Sequence, residues 1–137
     1  MRRELQVVFV LALLPLPLLD ELLARRQVDA ACRERAELTL QFPAAGSTAW
    51  QPEPVVSDAL PGLWLPVAVH RQAWRDRNTG EHLATMTYLQ AGGGRLARLA
   101  GRPGEPLTFP ADCRPDGWAE LSARLARVSG GGAVVRP

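Results

Sequence analysis

Hydrophobic and polar positions change period several times along this chain. An unbroken apolar run from Val7 to Leu19 follows Arg2 and Arg3. From Asp20 to Ala36 the pattern becomes helical: Ala24, Val28, Ala31 and Cys32 share one face. Glu21–Arg25 and Asp29–Arg33 stand four apart, in the order that favours helical ion pairs. Glu37 to Phe42 then alternates strictly, with Leu38, Leu40 and Phe42 on the inward side, which predicts a strand ended by Pro43.

Two further alternating stretches, Val67 to Arg75 and Glu81 to Gln90, flank Asp76-Arg77-Asn78-Thr79-Gly80. Asp and Asn bond nearby backbone, and Gly80 supplies positive φ, so this reads as a β-hairpin. A four-residue loop pairs Asp76 with Glu81. It then sets Arg75 against His82, Trp74 against Leu83, Gln72 against Thr85 and His70 against Thr87. The other face carries Val69 with Tyr88 and Arg71 with Met86. Near the end, Trp118, Leu121, Leu125 and Val128 form a helical stripe, with Asp116 as its N-cap and Glu120–Arg124 as an i,i+4 pair. Gly130 stops that helix.

Between these elements, Pro43 to Pro66 holds five prolines together with Trp50 and Trp64. Its recurring apolar residues suggest an arm packed across the sheet. Gly92-Gly93-Gly94 breaks or turns the sheet, and Arg95 to Leu99 reads as a third hairpin strand. The fold class expected is α+β. An N-terminal membrane helix continues into an amphipathic helix, followed by a small hairpin-based antiparallel sheet and a C-terminal helix packed on it. The divisions are an anchor over 1–24, a domain over 25–129 and a tail over 130–137.

Basic residues ahead of an apolar run are what export machinery reads. The run is shorter than the roughly 18–20 residues of a spanning helix, although Leu22, Leu23 and Ala24 extend it if Asp20 and Glu21 sit at the interface. The small-residue pattern Val28-Asp29-Ala30 before Ala31 lies far beyond the run, so an uncleaved signal-anchor is favoured over a cleaved signal. A lipoprotein reading at Cys32 fails for want of an aliphatic residue at Asp29. Arg25, Arg26, Arg33 and Arg35 pull the body inward by the positive-inside rule. The short N-terminal tail and the cysteines pull it outward, and that side is preferred. The expected location is a bacterial cytoplasmic membrane, single-pass, with the body facing the periplasm or exterior.

Two cysteines, Cys32 and Cys113, lack metal-ligand spacing and suit a disulfide in an oxidising compartment. The net charge of +2, without a basic run interleaved with aromatics, gives no support for nucleic-acid binding. Every basic residue is arginine, which fits a GC-rich coding sequence better than a phosphate-reading surface. His70 and His82 fall on opposite hairpin strands, too far apart to share a metal. Ser57, Asp58 and His70 supply the residue types of a triad without a nucleophile elbow. The glycine triplets lack the spacing and lysine of a phosphate loop.

No catalytic, cofactor-binding or metal residues are therefore assigned, and no small-molecule substrate is identified. The function expected is that of a membrane-anchored accessory protein binding another envelope protein, with Trp50, Trp64 and Leu65 as partner-contact residues. The alternative is a cleaved, secreted binding protein or inhibitor.

Overall fold

The computed structural model describes residues 18–41 and 50–128. Helix α1 (Leu19–Arg35) leads into β1 (Glu37–Leu40), and the short strands β2 (Trp50–Pro52) and β3 (Val56–Leu60) follow. The long hairpin β4 (Val67–Asp76) and β5 (His82–Ala91) comes next, then helix α2 (Arg95–Leu99), β6 (Asp112–Cys113) and helix α3 (Trp118–Val128). The class is α+β with an antiparallel sheet. Its centre is the hairpin, and each outer edge is covered by two short strands: β1 and β6 along β5, β2 and β3 along β4.

The hairpin turn forms as its residues require. The Asp76 carboxylate accepts from the N–H groups of Asn78 and Thr79, Gly80 has φ of +75°, and Arg75 faces His82. Beyond that pair the expected register fails by one residue. A bulge between Trp74 and Arg75 leaves Leu83 as the extra residue, so Trp74 faces Ala84, Gln72 faces Met86, and His70 faces Tyr88. On the other side Val69 faces Leu89, and Arg71 faces Thr87. A one-residue slip exchanges the faces of a strand, and here it sorts the apolar residues into two groups. Val67, Val69, Leu89 and Ala91 gather on one face, while Trp74, Ala84 and Met86 gather on the other.

One helix packs on each group. Val28 and Ala31 of α1 join Val67, Leu89 and Ala91, with Leu60, Leu63 and Phe109 around them. Leu121 and Leu125 of α3 join Trp74, Ala84 and Met86, with Leu38, Leu40, Trp50, Tyr88 and Trp118 around them. The sheet is thus a shared wall between two small cores.

Three local expectations are corrected. Arg95–Leu99 is helix rather than strand: β1 and β6 already occupy the free edge of β5, and the chain winds into i→i−4 bonds from Arg98 to Gly94 and Ala100 to Leu96. Residues 50–60 do not cross a face as an arm; they pair with β4 as edge strands. The C-terminal helix starts at Trp118, and Gly117 (φ +88°) accepts from Leu121 N–H, so Asp116 stands one place too early to cap. No described helix is long and apolar enough to cross a membrane. Most of the apolar run, and the tail from Gly130, lie outside the described residues.

Candidate functional site

The helical spacing pairs Glu21 with Arg25. Instead Glu21 is fully buried at the start of α1. One carboxylate oxygen accepts from Gly94 N–H at 3.0 Å, and the other accepts from Leu107 and Thr108 N–H and from the Thr108 hydroxyl at 2.8–3.2 Å. Its neighbour Asp20 accepts from Arg95 N–H at 2.8 Å. Two adjacent acids thereby hold two distant loops against the first turn of the helix. A buried carboxylate is tolerable because its lone pairs are filled by donors. The glycine triplet is what permits the approach: a Cβ on Gly94 would lie 2.7 Å from Glu21 Cγ, and one on Gly93 would lie 2.6 Å from the Glu105 carbonyl oxygen. A buried acid is invisible to a helical charge pattern; the triplet was the signal that the backbone comes close to something.

Cys32 and Cys113 are bridged, with Cα atoms 6.2 Å apart. Val28 and Ala31 point the helix face at the sheet, and β6 pairs Cys113 with Leu89, so the bond joins α1 to the far edge of the same core.

On the opposite face α3 covers only one end. The other end carries Ala68, His70, Tyr88 and Gln90 from the hairpin, with Ser57 and Ala59 from β3. His70 stacks on Tyr88 with ring centroids 5.0 Å apart. Its Nε2 lies 3.2 Å from Gln90 Oε1 and its Nδ1 lies 2.7 Å from Ser57 Oγ. With the Gln90 oxygen accepting from Nε2–H, Nδ1 is the acceptor for the Ser57 hydroxyl. Asp58 faces Val69 on the other side of the sheet, so Ser57, His70 and Asp58 do not assemble into a triad. The third place belongs to a neutral amide, which cannot stabilise an imidazolium as a carboxylate does. What this row offers is a polar, hydrogen-bonding surface. Beside it lies a mostly apolar cavity of about 400 Å³, lined in part by Ala59, Ala68, Pro66, Gln90 and Gly92.

The three residues expected to contact a partner are not brought together on one surface. Trp50 is half-buried against the α3 core, and Leu65 is buried. Trp64 is 61 % exposed, and its backbone N–H donates to Gln27 Oε1 of α1 at 3.1 Å. Val55 and Val56, at the start of β3, are exposed as well. β3 pairs with β4 alone, so its outer edge meets no other described strand. His82 is exposed beside the hairpin turn, remote from His70 along the ladder. Among the described residues no three His, Cys, Asp or Glu side chains gather as a metal site. No protein-family model, curated protein or solved structure matches this chain.

Proposed function

We propose that this chain is a membrane-anchored accessory protein whose small domain, outside the cytoplasm, binds another protein of the envelope. The observation that carries the reading is the half-covered sheet. Among the described residues, one end of a face is left with a polar row (Ser57, His70, Gln90), an adjoining apolar cavity and an edge strand, β3, that meets no described strand on its outer side. Concave apolar surface with a few convergent polar groups is where ligands and partners dock, and an open edge strand offers an unpaired ladder. The disulfide fits an oxidising compartment. The apolar run ahead of α1 supplies the anchor, which raises the effective concentration of the domain near membrane partners.

Two experiments test this. Removing residues 1–17 abolishes membrane localisation; unchanged fractionation defeats the anchor. The cut falls before Leu18 so that Asp20 and Glu21, which hold the first turn of α1, are kept. A photo-crosslinking residue at Ala59, which lines the cavity beside the polar row, captures a single envelope protein in intact cells, whereas one at Arg77, on the exposed hairpin turn, does not. Equal capture from both positions removes the case for this surface.

A further inference from the structure

The first turn of α1 is ringed by leucines that the fold leaves in solvent. Leu19, Leu22 and Leu23 project from the helix itself. Leu107, also exposed, belongs to the segment whose N–H bonds Glu21. Leu99 is 84 % exposed, one turn of α2 beyond Arg95, whose N–H bonds Asp20. Single exposed leucines are ordinary, but several at one end, set among charges, mark a surface made to meet something. Arg25, Arg26, Arg95, Arg98 and Arg102 are all exposed on these same segments, against Asp20 and Glu105.

What meets this end is given by the residues that precede it in the sequence. Immediately before Leu19 the sequence is the apolar run that starts at Val7. A bilayer holding that run brings its surface against the segments clamped by Asp20 and Glu21. We propose that this end of the domain lies on the membrane. Leu22, Leu23, Leu99 and Leu107 enter the headgroup–acyl boundary, and Arg95, Arg98 and Arg102 pair with anionic lipid phosphates. The proposal rests on the anchor reading and adds the posture of the domain. Leucine at the boundary gains by leaving water, and guanidinium suits phosphate by its planar fork of donors. The Glu21 hydrogen bonds hold α2 and the 107–108 segment to α1, so these contacts act as one rigid foot rather than independent side chains. Two or more contacts around a single anchor fix the tilt of the sheet, and with it the direction in which the open face points.

The test uses the full chain in vesicles of anionic and zwitterionic phospholipid. Flotation after a high-salt wash reports the anchor by itself. In parallel, Leu99→Trp and, as a control on the hairpin turn, Arg77→Trp are placed in vesicles of brominated lipid, and the added tryptophan emission is measured. The expected result is a chain that floats, with Leu99→Trp emission quenched at least two-fold and Arg77→Trp emission unchanged. Replacing Arg95 and Arg98 by Gln weakens that quenching, and so does omitting the anionic lipid. A chain that floats while Leu99→Trp stays unquenched overturns the docking and leaves the anchor standing; a protein partner is then the occupant to seek. Quenching indifferent to both the arginines and the anionic lipid overturns their part. A chain that does not float overturns both readings.

Discussion

The two helices of this protein are held to one sheet by different physics. On the α3 face the contact is apolar: Leu121 and Leu125 set against Trp74, Ala84 and Met86. On the α1 face the buried helix side chains are small (Ala24, Val28 and Ala31), and they offer less area to remove from water. That face is reinforced by a disulfide at one end of the helix and by a buried carboxylate with four donors at the other. A small domain can thus fasten a helix whose apolar stripe is too slight to hold it by burial alone. Covalent and hydrogen-bonded ties are also directional. They fix where α1 begins, which suits the anchor proposed ahead of it.

Breaking the covalent tie is the largest perturbation. Cys32 and Cys113 are 81 positions apart, a separation for which the chain-entropy model gives about 4–5 kcal/mol. Replacing both with Ser is expected to lower the denaturation midpoint accordingly, and amides of α1 should exchange with deuterium faster than those of α3. Equal acceleration in the two helices means that the bond does not hold α1 in particular. Next is Glu21→Ala, which strands the buried donors of Gly94, Leu107 and Thr108. At about 1–3 kcal/mol for each buried unsatisfied group, partly relieved by water entry, a loss of about 3–4 kcal/mol is expected in chemical denaturation. Glu21→Gln recovers only part of it, because its amide N–H₂ must face a donor on one side or the other. Full recovery shows that the charge-assisted bonds are unimportant.

On the α3 side, Leu121→Ala should cost about 3 kcal/mol through lost burial and the cavity left behind. The α1 hydrogen bonds should remain protected in exchange experiments. Collapse of α1 protection at the same denaturant concentration makes the two cores one cooperative unit. The smallest effect expected is Gly80→Ala, which forces a side chain into φ of +75° at the hairpin turn, for about 1 kcal/mol. It weakens the wall both cores share, so thermal unfolding should shift without changing the order in which the helices exchange.

Much of this was legible in the residues. Helical spacing located α1 and placed Ala24, Val28 and Ala31 on its buried face; alternation located β1 and both long strands. Asp76 and Gly80 defined the turn, and the cysteine pair is bonded. These features depend on near neighbours in the chain, where period and local backbone preference decide.

What failed depended on distant ones. The bulge at Leu83 has no local signature, since it is selected by the gain of sorting Leu89 and Ala91 to α1 and Met86 and Ala84 to α3. Arg95–Leu99 follows a long hairpin, where a third strand is the simple continuation, but no edge of β5 remained for it. Glu21 obeyed the rule for an exposed ion pair, yet it is buried, because three backbone N–H groups some seventy to ninety residues later needed an acceptor. The Ser57–His70 contact exists because β3 pairs with β4 in one register, which no spacing in the chain announces. Local pattern was enough for α1, β1, the two long strands and α3. Which edge, partner and register each one took was settled by the fold, because those choices are set by competition among segments for the same buried donors and apolar surface.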